Sequence, residues 1–478
     1  MTSCVIPSDE QHWLTQSFVD PNGRVFEWRG DIYRRLTAGY APLWKDLFSR
    51  GFAQDLMREG LLVGTEITDF KSNPGELTLR HYRVPVVSYC FEWSPQMLKD
   101  AALLTIDLCI RLAEKGMTLQ DGHPWNILFD GTKPIFIDIS SVVPARDDIL
   151  WAPYQQFCNF FLYPLYLYAS GRDHIGRSLL NDHLLGATDH DVLAALPLRH
   201  KMRHPCRTLG IAFPRQLGKA LEKMPVEFKD KLFAMSGRVN VSLATPKVRL
   251  KFFRSLRTKV ERLLLSTANS HWLSYYETAD KNYYQTDLSP RDWSAKKSTV
   301  EKILMDVSPT TLVDVGANTG HYAKLAANVG ARVIACDLDV PAVDSCYVEC
   351  RRQRLNILPL VANVFNTSPT AGRGATICAP AIERFRSEMV LALAVMHHVA
   401  ATQRLDIDRI VNILSSLSSR ALLLEFVPPL KPKVGASLVP SVDDYSLVAL
   451  EDCLRKRFQS VTQYPCYPKE RKLFLCQQ

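Results

Sequence analysis

The chain has 478 residues, of which 47% are hydrophobic, and a net charge of +9. That length suits two or three domains with separate cores, while the lack of any run of about 18 uncharged apolar residues argues against a membrane span. Met1-Thr-Ser-Cys-Val-Ile-Pro-Ser-Asp9 has no basic stretch followed by an apolar core, so no secretory signal is expected.

The twelve cysteines are scattered and contain no C-x-x-C pair. Cys346 and Cys350 stand four apart on an expected helix, which is poor spacing for zinc. Reduced, buried thiols in a cytoplasmic protein are therefore expected.

Residues 1 to about 245 mix short strands and helices, including a helix that begins at Gln96. It is followed by Asp121-Gly-His-Pro-Trp-Asn126-Ile-Leu-Phe-Asp-Gly-Thr-Lys-Pro-Ile-Phe-Ile-Asp138. This segment resembles the catalytic loop of aminoglycoside- and choline-type kinases, in which a first Asp orients the hydroxyl while an Asn and a second Asp hold magnesium. The resemblance implies Asp121 as base, Asn126 and Asp138 as metal ligands, and Mg2+/ATP as cofactor, provided that half is active. Other kinase parts are missing. No Gly-rich phosphate loop stands upstream, Asp31-Ile-Tyr-Arg-Arg35 offers arginines in place of a strand lysine, and Leu119 replaces a His often found there. An α+β kinase-like domain that has lost phosphoryl transfer is expected over residues 1–245. The plainer alternative is that Asp121 and Asn126 tie a tight loop.

Residues 246–295 read as a basic and aromatic helical linker. Lys247 to Arg262 holds seven basic residues and one acidic one, with Val248, Phe252, Leu256, Val260 and Leu263 or Leu264 on one side. Such a helix joins domains with its apolar side inward, or lies on an anionic membrane as a peripheral contact. Trp272, Tyr275, Tyr276, Tyr283, Tyr284 and Trp293 follow, as interface core or as a cap over a ligand.

Residues 296–478 alternate strand and helix. Strands are predicted at 312–316, 332–337, 357–362, 389–395, 420–427, 459–465 and 471–476. Helices are predicted at 320–330, 341–354, 404–418 and 444–457. Leu312-Val-Asp-Val, Val333-Ile-Ala-Cys, Met389 to Val395 and Ala421 to Val427 are nearly continuous apolar runs, the pattern of strands buried on both faces of a parallel sheet. Leu312-Val-Asp-Val-Gly-Ala-Asn-Thr-Gly-His-Tyr322 is a strand, a glycine turn and a helix start. Asp337 ends the next strand 21 positions after Gly316. A turn that exposes backbone, with a carboxylate about 20 residues on for ribose hydroxyls, is the nucleoside-binding logic of doubly wound folds. The G-x-x-x-G spacing points away from a dinucleotide and toward S-adenosylmethionine (SAM).

This stretch resembles the class I SAM-dependent methyltransferases, which implies a doubly wound Rossmann-like sheet. By that resemblance Asp314, Gly316, Asn318, Thr319, Gly320 and Asp337 hold the cofactor. Asn363 stands where the adenine amino group is met, and His397 and His398 lie beneath the transferring methyl. Either His could act as base, or one could pack while the other lines the pocket. With Phe157-Cys-Asn-Phe-Phe-Leu-Tyr-Pro-Leu-Tyr after the second Asp, the whole order resembles a family of two-part bacterial methyltransferases associated with nodulation. The expected activity is methyl transfer to an unidentified acceptor recruited or presented by the first domain. The rivals are a bifunctional methyltransferase/phosphotransferase and a non-catalytic scaffold. Nucleic acid is not the expected partner, because Met396-His-His-Val stands where amino-methylating enzymes of nucleic acids carry Asn/Asp-Pro-Pro-Tyr/Phe.

Overall fold

A computed structural model describes residues 6–14, 17, 20–70, 73–205, 208, 211, 245–265, 270, 273, 290–366, 378–428, 445–466 and 469–478. The first unit opens with strands β1 (His12–Trp13), β2 (Gly23–Trp28), β3 (Asp31–Leu36), β4 (Thr65–Ile67) and β5 (Leu77–His81). They form an antiparallel sheet in the order β1-β2-β3-β5-β4. Ser94 caps the long helix Pro95–Ala113, accepting from the Met97 N–H, and Pro95 starts its first turn. This helix is buried on most of its circumference, as expected of the axis of a helical subdomain. Two small antiparallel sheets sit on it: β6 (Met117–Leu119) pairs with β9 (Val142–Pro144), and between them in the chain β7 (Ile127–Asp130) and β8 (Lys133–Phe136) form a hairpin. The α+β expectation for this half therefore holds.

The basic helix is Pro246–Glu261, and it packs along Pro95–Ala113 as part of the first unit. Its buried stripe is Arg249, Phe253, Leu256 and Val260. That is a rotation from the expected Val248 and Phe252, which are only half-buried. The cause is Arg249. Its guanidinium is buried and donates to the carbonyls of Arg146, Ile149 and Leu150, which a wholly apolar stripe would leave without donors. Tyr275, Tyr276, Tyr283, Tyr284 and Trp272 lie outside the described residues. The next helix spans Pro290–Val307, so a boundary at 296 falls inside a helix.

The second unit is a seven-stranded sheet of β10 (Thr311–Val315), β11 (Arg332–Asp337), β12 (Ile357–Val361), β13 (Ser387–Ala392), β14 (Ser418–Phe426), β15 (Ser460–Pro465) and β16 (Lys472–Gln477). Its order is β12-β11-β10-β13-β14-β16-β15. The first five strands run parallel, and β16 is antiparallel to both its neighbours. The chain reverses direction across the sheet between β10 and β13, a switch point at whose carboxyl ends ligands bind in such folds. Every predicted strand is present within three residues of its expected ends.

The two units share one hydrophobic core, which also takes in one face of the large sheet. Helix Val340–Gln353 lies against Pro95–Ala113. Tyr347 donates to Asp100 Oδ2 at 2.7 Å, and Arg351 also pairs with Asp100. The Gln96 N–H donates to Asp344 at 2.8 Å. Nearer the β12 edge, the buried Arg384 pairs with the buried Glu92, donates to the Val87 carbonyl at 2.6 Å and stacks over Tyr89.

Candidate active site

Four strand ends converge at the switch point. After β10, the N–H groups of Gly316 and Ala317 both donate to the Cys336 carbonyl, at 2.9 and 3.0 Å, which ties the turn to β11. Gly316 and Gly320 have φ of +76° and +78°, a region side chains rarely tolerate. Packing also requires glycine at both positions. A Cβ on Gly316 would meet Val395 Cγ2 at 2.9 Å, and one on Gly320 would meet Cys346 Sγ at 2.5 Å. Gly320 thus lets helix His321–Asn328 approach Val340–Gln353 closely.

Asp337 is half-buried at the end of β11. Its Oδ2 accepts the Asn318 N–H at 2.7 Å and its Oδ1 the Asp339 N–H at 2.9 Å. These bonds aim the carboxylate while leaving further lone pairs for two hydroxyls. Burial raises its carboxyl, and the backbone donors oppose that shift. Thr319 is half-exposed in the same turn, and Asn318 is nearly buried at φ +51°. Leu338, next to Asp337, is a large apolar side chain left 52% exposed. It was not singled out in the sequence, where an apolar residue after a strand carries no signal.

Asp314 is 2% exposed, and among the described residues its Oδ2 has no hydrogen-bond partner. Burial, with the nearby Asp337 charge, pushes its carboxyl up to about 7. A buried carboxyl with one oxygen left without a donor at this place is suited to an incoming ammonium. Asn363, two residues past β12, is engaged locally. Its Oδ1 accepts the Phe365 N–H at 3.0 Å, and its Nδ2 donates to Gln403 at 3.1 Å. Only the second lone pair of Oδ1 remains for an adenine amino group.

His397 and His398 are not at a strand end. β13 stops at Ala392, and both lie in the first turn of helix Met396–Gln403. Their ring centroids are 4.0 Å apart. Burial, the other imidazole and Arg471 together press His397 down to about 3. Burial and Arg471 also lower His398. Both are neutral near pH 7.

Beside them lies a group the sequence reading missed. Glu425, fully buried in β14, accepts from Lys296 Nζ at 2.6 Å and from Arg471 Nη1 at 3.1 Å. Burial alone would raise Glu425, but the two cations and their hydrogen bonds outweigh it and hold the carboxyl low. Lys296 also lies over the Tyr322 ring at 5.2 Å. The available signal was one charge inside an otherwise apolar strand, Ala421-Leu-Leu-Leu-Glu-Phe-Val427, because buried carboxylates require partners.

In the first unit, Asp121, Asn126 and Asp138 gather around the hairpin β7–β8. Asp138 Oδ1 is 2.9 Å from Arg34 Nη1, and the buried Arg34 also pairs with Asp20 at 3.0 Å. Ser140 bonds Arg34, Asp20 and Asp138. Arg34 is one of the two arginines of Asp31-Ile-Tyr-Arg-Arg35 in β3, and it pairs directly with Asp138 as well as with Asp20. Asp121 faces His123 at 3.9 Å; burial raises its carboxyl and Asp138 adds to that, while His123 opposes it. Among the described residues, no group of three or more His, Cys, Asp or Glu is arranged to hold a metal.

No protein-family model matches the chain. Among solved structures, it resembles monomeric WbdD, a bifunctional kinase-methyltransferase, at 15% identity and a TM-score of 0.29, over 37% of this chain and 40% of that one. It resembles the SAM-bound magnesium protoporphyrin IX methyltransferase ChlM of Synechocystis PCC 6803 at 13% identity and a TM-score of 0.29, over 45% of this chain and all of that one. Along 96% of its length, the chain is a homologue of the nodulation protein NoeA of Rhizobium meliloti strain 1021, at 27% identity over 477 residues and 94% of that protein.

Proposed function

We propose that the chain is a SAM-dependent methyltransferase whose first unit recruits or presents the acceptor. The observation that carries this reading is the arrangement at the ends of β10 and β11: the buried Asp314 carboxyl with Oδ2 left without a donor, the glycine turn, and Asp337 aimed by two backbone donors. These residues fit SAM. Asp337 would take the ribose hydroxyls, Leu338 would cover one face of the adenine, Asp314 would meet the ammonium, and the turn at Asn318, Thr319 and Gly320 would face the methionine carboxylate. Bound SAM supplies an electrophilic methyl group. The chain's own part is to hold an acceptor in line with it and exclude water.

In the first unit Arg34 pairs with Asp138 Oδ1 and with Asp20, which speaks against Asp138 serving as a Mg2+ ligand. A recruiting role accords better with its broad attachment to the second unit through Asp100, Glu92 and Tyr347.

Titration calorimetry with S-adenosylhomocysteine (SAH) tests the reading. One-to-one binding is expected, and Asp337→Ala and Thr319→Arg should each abolish it while the protein stays folded. Normal binding in both variants would sink the assignment.

A further inference from the structure

The helix Pro246–Glu261 turns Arg249 and its apolar stripe toward Pro95–Ala113, which leaves its opposite side to solvent. Lys247, Lys251 and Arg254, with Arg262 at the C-cap, are all exposed on that side. At 3.6 residues per turn they fall within an arc of about 80° and make a row about 22 Å long. Among the described residues, none of these four side chains has a hydrogen-bond or ion-pair partner. The carboxylates beside the row are already met by other cations. Arg257 binds Asp107 at 2.6 Å and Glu261 at 3.0 Å, Lys99 also acts on Glu261, and Asp147 acts on the buried Arg249. The row therefore stands as a strip of uncompensated positive charge in a chain of net charge +9. Just past it, Leu264 is 87% exposed, more than any other large hydrophobic side chain among the described residues.

We propose that this face of the first unit docks on an anionic lipid bilayer, with the row of cations along the headgroups and Leu264 entering the acyl boundary. Charge complementarity carries the choice of partner: a straight, rigid row of cations meets a surface of phosphate headgroups without bending. The leucine separates lipid from nucleic acid, because a phosphate backbone offers nothing apolar to an exposed side chain at the end of the row. The helix does not insert by its own apolar stripe, which is spent on packing against Pro95–Ala113. The attachment is therefore chiefly electrostatic, reversible and weakened by salt. It stands whether or not the second unit transfers methyl groups.

Co-sedimentation of the full chain with vesicles of phosphatidylcholine, alone or mixed with phosphatidylglycerol, tests this. Wild type should bind the mixed vesicles at least about ten-fold more tightly than the neutral ones, and the preference should fade as salt rises. Changing Lys247, Lys251, Arg254 and Arg262 together to Gln should remove the preference and leave the unfolding temperature unchanged, because these side chains touch no core. The same loss of charge at the exposed Lys45, Lys302, Arg455 and Lys456 should leave vesicle binding intact, which separates the row from net charge. Leu264→Ser should weaken binding to mixed vesicles and have no effect on binding to duplex RNA. Absence of any preference for anionic vesicles in wild type would overturn the proposal, as would equal losses in the two four-residue variants. Tighter binding to duplex RNA than to vesicles, with Leu264→Ser silent in both, would reassign the row to nucleic acid and also overturn it.

Discussion

Asp314 shows how one residue couples stability, pH and ligand. Its carboxyl is pushed up to about 7, first by burial and then by Asp337, against about 3.9 in an unfolded chain. The folded state therefore holds this proton longer than the unfolded one. The site's contribution to stability is full below about pH 4 and declines as pH rises toward 7, by on the order of a few kcal/mol. Asp314→Asn should remove that decline, so the ligand-free variant should melt higher than wild type at pH 8 and similarly at pH 4. SAH binding should show the opposite trend. An ammonium needs the ionised carboxylate, so affinity should rise from pH 6 to 8 in wild type and stay flat in Asp314→Asn. A flat profile in wild type would remove the proposed ammonium contact. The sequence marked Asp314 as a candidate. Its charge state could not be read there, because the shift depends on what packs around the strand.

At the scale of elements, the glycine turn is held by packing as much as by ligand geometry. Gly320→Ala would force a Cβ into Cys346 Sγ and strain a left-handed backbone, costing about 1–3 kcal/mol. Adding Cys346→Ala should return the part due to the clash and leave the backbone strain. Thermal unfolding of the two variants, with wild type and Cys346→Ala, measures the split; no recovery in the double variant would place the whole cost in the backbone. The same scale explains what was legible in the second unit. Strands buried on both faces write near-continuous apolar runs, and β10, β11, β13 and β14 were found from them. The short helix Met396–Gln403 was missed because its His-His start follows an apolar run without a glycine or proline to mark the end of β13.

For the whole molecule, the shared core and the ion pairs across it predict a single folding unit. Calorimetric unfolding should give one transition. Arg384→Ala strips the partner from the buried Glu92 and a donor from the Val87 carbonyl, and should cost about 3–5 kcal/mol. If the variant separates into two transitions, the pair couples the halves; if wild type already shows two, the shared core is not cooperative.

By itself the sequence determined the doubly wound architecture, the glycine turn and the carboxylate after β11. Those features rest on local periodicity and fixed spacing within about 25 residues, which the chain writes directly. It also marked Asp121, Asn126 and Asp138 as a group, and the arginines of Asp31-Ile-Tyr-Arg-Arg35 as out of place. Only the tertiary structure decided that Arg34 pairs with Asp138, that Arg249 turns the basic helix, and that Lys296 and Arg471 meet on Glu425. Those partners lie 46 to 129 positions apart along the chain. Their pairing is set by the need to satisfy charge and hydrogen bonds after the elements pack, a constraint that leaves no periodic trace in the sequence.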